Sequence, residues 1–122
     1  MGHKILITNN PLVVEKYPDE VIKVEGMPSD VLRKAMEYVM NGYHLFSLPL
    51  PPNVSLFKSP YRTVVVEFEG YAQTRSYDLV LLQNALDKLS CHIEEWNKIK
   101  ANKPEDYAFL DLDFLDNLLG RR

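Results

Sequence analysis

Lys4 to Thr8 is a short, nearly unbroken apolar run, the pattern of a strand buried in an α/β sheet. Asn9, Asn10 and Pro11 stop it. Asn-Pro is a turn signal, and it also starts helices, with Asn10 as N-cap and Pro11 at the first helical position. One or two helical turns are therefore expected over Leu12 to Tyr17. Pro18-Asp19 breaks the chain again, and Glu20 to Glu25 reads as a second strand. After a turn at Gly26 to Pro28, Val31, Leu32, Ala35, Met36 and Val39 fall on one helical face. Ser29 is the expected N-cap, Asp30 sits in the first turn, and Asn41-Gly42 is the stop. Tyr43 to Leu48 is expected as a third strand. Thr63 to Glu69 is the strongest strand signal, with a turn at Glu69-Gly70 and a short returning strand near Tyr71 to Thr74.

From Ser76 or Asp78 to about Lys100 the pattern predicts one long helix. Leu79, Leu82, Leu86, Leu89, Ile93 and Trp96 alternate spacings of three and four, a heptad-like seam. Such a helix would run roughly 35 Å, longer than a domain of this size is wide. Its far end is expected either to overhang and meet another subunit or to be covered by the C-terminal segment; the two readings stand equal. Beyond the break at Asn102 to Pro104, Tyr107, Leu110, Phe114, Leu115 and Leu118 share a helical face, with Asp106, Asp113 and Asp116 polar. The segment suits docking into a partner's groove, or packing on its own domain or a dimer mate, which is favoured. Leu89, Ile93, Trp96, Phe114 and Leu118 are the candidate interface residues.

The expected architecture is a single α/β domain: a mainly parallel sheet of four to five strands packed with two main helices over residues 1–101. An acidic amphipathic extension over 102–122 packs on the domain or on a partner. Apolar residues make up 46% and charged residues 25% of the chain, enough for a core without disulfide or metal. A net charge of −3 argues against a general nucleic-acid binder. No apolar run has the length of a membrane span or of a signal-peptide core, so a cytoplasmic location is expected.

Between the third and fourth apolar runs lies Leu48 to Arg62, which holds four of the eight prolines. Proline fixes φ and removes a backbone donor, so this is neither helix nor central strand. Long ordered loops often carry function. Lys58, Ser59, Tyr61 and Arg62 at its end, with Ser47 at its start, would suit a carboxylate or phosphate. Ligands of open sheets bind past the carboxyl ends of the strands, which places Asn9 and Asn10 in the same region if strands one and three run in the same direction. The plainer readings are an Asx turn with a helix cap for the asparagines, which is favoured, and for the loop a solvated surface with Arg62 paired to Glu67.

No catalytic signature is present. Cys91 and His92 are neighbours on a helix, so their side chains point about 100° apart and cannot act as nucleophile and base. His44 reads as a core or edge residue, and the scattered histidines and lone cysteine have no metal-ligand spacing. Glu67 and Glu69 share a strand face, which a solvated sheet explains. Neither a cofactor nor a metal is expected.

The opening Lys-Ile-Leu-Ile-Thr-Asn-Asn-Pro-Leu-Val-Val-Glu-Lys-Tyr (residues 4 to 17) resembles the start of the GrdX-like family. The likeness continues at Val24-Glu25-Gly26 and Gly42-Tyr43-His44-Leu45. It is clearest at Pro49-Leu50-Pro51-Pro52-Asn53-Val54 and Ser59-Pro60-Tyr61-Arg62-Thr63, and it covers roughly residues 4 to 90. These are small proteins encoded in glycine reductase operons of anaerobic, amino-acid-fermenting bacteria. The resemblance implies a non-enzymatic accessory protein near glycine reductase components. It transfers no catalytic residues. The alternatives are a binder of, or enzyme acting on, an amino-acid-like or phosphorylated anion, and a structural homodimer module.

Overall fold

A computed structural model describes residues 3–51, 54–68, 76–102 and 104–121. Strand β1 (His3–Thr8) leads into helix α1 (Pro11–Lys16), strand β2 (Val21–Lys23), helix α2 (Pro28–Met40) and strand β3 (Tyr43–Leu45). Strand β4 (Thr63–Phe68) follows the proline loop, then come helices α3 (Ser76–Leu89), α4 (Ile93–Asn102) and α5 (Pro104–Leu119). The expected returning strand near Tyr71 to Thr74 and the carboxylate of Glu69 lie outside the described residues.

The sheet is mixed, in the order β2-β1-β4-β3. Only β1 and β2 pair in parallel; β4 runs antiparallel to both β1 and β3. This corrects the mainly parallel expectation. Among its described residues the proline loop holds no long crossover helix, so the chain turns back where β3 ends, which makes β3 and β4 antiparallel. Because β4 lies reversed between them, β1 and β3 still run the same way. The ends of β1 and β3 and the start of β4 therefore point to one end of the sheet, with Thr8 opposite Thr63 and Leu45 three residues back, opposite Val66.

Strand alternation sorts the core into two layers. Ile7, Val64 and Val66 face α2 and α3, burying Val31, Leu32, Ala35, Val39, Leu82 and Leu86. Leu6 and Val65 point the opposite way, onto Val13 and Tyr17 of the α1 region and Leu115 of α5. The sheet thus has helices on both faces, and α5 supplies part of the second cover.

The capping signals resolve locally. Asn10 Oδ1 accepts the Leu12 N–H at 3.0 Å, with Pro11 at the first helical position. The N-cap of α2 is Met27 rather than Ser29, because Asp30 Oδ2 accepts the Met27 N–H at 2.9 Å. Gly26, at φ 148°, packs against this carboxylate, and a Cβ there would collide with it.

The long helix predicted over 76–100 divides. A 3₁₀ turn at Ser90–His92 separates α3 from α4. Ser90 Oγ donates to the Asp87 carbonyl at 3.1 Å, the back-bonding that bends helices. The bend brings Trp96, fully buried, into the main core, where its indole donates to the Phe57 carbonyl at 2.8 Å. Leu89 is buried in the same cluster. Leu89 and Trp96 were interface candidates, with plain core the equal reading for Trp96, and both belong to this chain's own interior; Ile93 and Leu118 are exposed and Phe114 is half-buried. Among the described residues no helix is long and apolar enough to cross a membrane.

Candidate functional site

Strand β3 ends at Leu45 because the next two amides, Phe46 and Ser47, both reach the Val65 carbonyl, at 2.8 and 3.3 Å. One carbonyl opposite two residues makes a bulge. Ser47 Oγ then accepts the Val65 N–H at 2.8 Å, replacing the missing ladder bond. The bulge turns the chain away from β4 and opens the start of the proline loop.

Asn9 ties the other side of this edge. Its Nδ2 donates to the Gly26 carbonyl at 2.9 Å and the Pro60 carbonyl at 2.8 Å, and its Oδ1 accepts the Arg62 N–H at 2.9 Å. One amide thus fastens the β2–α2 turn and the end of the proline loop to β1. Ser59 Oγ bonds the backbone of Tyr61. Asn9, Ser47 and Ser59 are therefore committed to the backbone, and their role at the edge is to shape it.

Asn10 does more than cap α1. Its Nδ2 also donates to the Ala108 carbonyl at 2.8 Å and to Asp111 Oδ2 at 3.0 Å, both on α5. Thr63 Oγ1 donates to the same Asp111 oxygen at 2.7 Å. With that proton committed, the Thr8 hydroxyl, 2.8 Å away, donates to Thr63 and accepts the Asn10 N–H at 3.0 Å. A buried relay from backbone amide through two hydroxyls ends on a carboxylate that is 6% exposed. Each link polarises the next, and the whole relay orients Asp111.

Asp111 was not among the sequence candidates. A signal for it exists: it interrupts the stripe Ala108, Leu112, Leu115 that packs α5 on the sheet. Of the face read from sequence, Leu115 belongs to this stripe, while Tyr107, Leu110, Phe114 and Leu118 form the neighbouring one. It borders a groove whose opposite wall is the proline loop.

Arg62 is at the floor of that groove. Its Nη2 donates to the Leu48 carbonyl at 3.3 Å, while its Nε is sealed from solvent and has no hydrogen-bond partner among the described residues. Burial pushes the guanidinium pKa down, and the nearby negative charge of Asp111 opposes that shift. The expected pairing with Glu67 does not form. Glu67 lies farther along β4, bound to Lys4 Nζ at 3.0 Å and His44 Nε2 at 3.2 Å.

A cleft of about 50 Å³ runs beside Ser47, Arg62, Thr63, Asp111 and Phe114. It opens into a groove of about 430 Å³ between Leu48 and Leu50 on one side and Phe114, Asn117 and Leu118 on the other. A second small cleft takes in Ser59, Tyr61, Arg62, Tyr107 and Asp111. The structure therefore brings Ser47, Ser59, Tyr61 and Arg62 to adjoining clefts, with Asn10 one bond behind them through Asp111. Asn9 faces a separate hollow beside Gly26 and Lys100. Lys58 is exposed and borders none of these spaces. Cys91 is an exposed free thiol on the 3₁₀ turn, and His92 bonds Glu95 at 2.6 Å.

A sequence model described as GrdX-like protein matches residues 5–120. The chain belongs to the GrdX-like family. The match reaches beyond the 4–90 stretch that carried the resemblance and includes α5, the helix that supplies Asp111 and Phe114. Comparison with curated proteins and with solved structures found no match.

Proposed function

We propose that this GrdX-like chain is a non-catalytic accessory protein of the glycine reductase system, acting through the groove between the proline loop and α5. The observation that carries this reading is the groove itself: apolar walls of Leu48, Leu50, Phe114 and Leu118 around a guanidinium whose Nε is unsatisfied. Leu48 is 72% and Leu118 43% exposed, an apolar rim of the kind that marks an interaction surface. The polar side chains of Asn9, Ser47 and Ser59 at the edge are spent on the backbone.

The test is capture with purified parts. Glycine reductase components, presented one at a time to the immobilised chain, should yield one that is retained, and retention should fall with Leu118→Asp. Leu89→Asp is the contrast: it places a charge in the core and should unfold the chain. Failure of every component to bind would sink the accessory reading.

The alternative of a small-ligand site keeps one specific support, the unpaired Arg62 beside Asp111.

A further inference from the structure

Arg62 and Asp111 border the same two clefts without forming an ion pair with each other or with any other described residue. Arg62 retains Nε, sealed from solvent and unbonded. Asp111 receives Asn10 and Thr63 on Oδ2 alone; among the described residues none bonds Oδ1. The relay from Thr8 and Asn10 fixes this carboxylate, so it cannot swing over to neutralise the arginine.

Two opposite charges held apart around one small space select the ligand that fits between them. A bare anion gains from Arg62 and is repelled by Asp111; a bare cation meets the reverse. In a poorly solvated cleft neither term is screened away. A phosphate, with more negative charge, suffers more from Asp111 than a carboxylate does. A ligand with a carboxylate and a cationic nitrogen a few bonds apart satisfies both groups and cancels its own net charge.

We propose that the cleft between β4 and α5 binds a small zwitterion of the α-amino-acid type, with the carboxylate on Arg62 and the cationic nitrogen toward Asp111. The inner space of about 50 Å³ limits the charged portion to a few heavy atoms. Any apolar substituent extends past Phe114 into the groove toward Leu48 and Leu118. The assignment rests on reading this groove as the binding surface, and it narrows that reading to a ligand class.

The experiment is calorimetric titration of the full chain with glycine, acetate, methylammonium and inorganic phosphate, alongside NMR observation of the Arg62 Nε–H resonance. Glycine should bind with Kd below about 1 mM and at least about tenfold more tightly than any of the other three probes. It should also shift the Arg62 Nε–H signal. Arg62→Gln should weaken glycine by roughly ten- to hundredfold, as expected for a lost charged hydrogen bond. Acetate or phosphate equal to glycine means a bare anion site and overturns the proposal. Methylammonium equal to glycine, or no heat and no shift with glycine, overturns it too. The NMR readout uses the unaltered chain, so it decides even if Arg62→Gln fails to fold. Loss of glycine binding with reductase-component capture intact refutes this inference alone; the converse refutes only the accessory reading.

Discussion

Trp96 on α4 donates its indole N–H to the backbone carbonyl of Phe57, 2.8 Å away in the loop that follows β3. The contact fastens the proline loop from behind, on the side opposite the groove. Trp96→Phe should keep most of the packing and lose the bond, costing about 1 kcal/mol, more if the Phe57 carbonyl is left dry. Trp96→Ala should cost about 3–5 kcal/mol. Urea unfolding followed by circular dichroism measures both. Trp96 is the sole tryptophan, and it is fully buried. Its emission should therefore move to longer wavelength in the same transition.

Asn10→Ala removes the cap of α1 and two bonds to α5 together. The cap alone is worth about 1 kcal/mol, and loss of a donor to the buried Asp111 carboxylate adds about 1–3 kcal/mol. Asn10→Asp keeps a capping oxygen but sets a second carboxylate against Asp111, so it should be no better than alanine. Denaturant midpoints of the three proteins check the order.

Stability should fall in strong alkali through Tyr17. Its hydroxyl donates to Asp116 Oδ1, and burial, then the bond and charge of Asp116, push its pKa up to about 12 from the ordinary 10.0. Between those values the unfolded chain has lost the phenolic proton while the folded chain keeps it. The unfolded state binds fewer protons, so stability drops as pH rises through that window, and the contribution is complete below it. Tyr17→Phe should flatten this part of the profile. Melting temperature across pH 9 to 12, roughly the span set by the two pKa values, is the measurement.

Arg62→Met should leave the free chain as stable or more stable, by about 1 kcal/mol, because an apolar side chain replaces a half-buried cation that lacks a partner acid. A rise in thermal midpoint together with loss of glycine binding would mark Arg62 as a residue kept for function at a cost in stability. A large drop in midpoint would instead assign it a structural role.

Much of the fold was legible in local pattern. The apolar runs at Lys4–Thr8 and Thr63–Glu69, the Asn10-Pro11 start and the Asn41-Gly42 stop all reflect short-range sterics and hydrogen bonding. Strand order was not legible, because alternation says which face a residue takes and not which strand lies beside it. The heptad seam was misleading for a similar reason. A 3₁₀ turn barely disturbs the three-and-four spacing, so Trp96 kept its register in the sequence while the axis bent beneath it. Ser47, Ser59, Tyr61 and Arg62 stood out as loop residues of those types, and the structure places them at adjoining clefts. Asp111 hid in a helix already rich in acids, and its partners Asn10 and Thr63 are 101 and 48 residues away.

That separation in sequence has a consequence for how the protein comes into being. The α2–α3 face of the sheet can close on contacts made well before α5 is synthesised, but the cleft has no second wall until residue 118 has been made and docked. Occupancy would then reward the last step of folding, drawing α5 onto the sheet and holding it there. A ligand seated in the cleft would in that way stabilise only the completed chain.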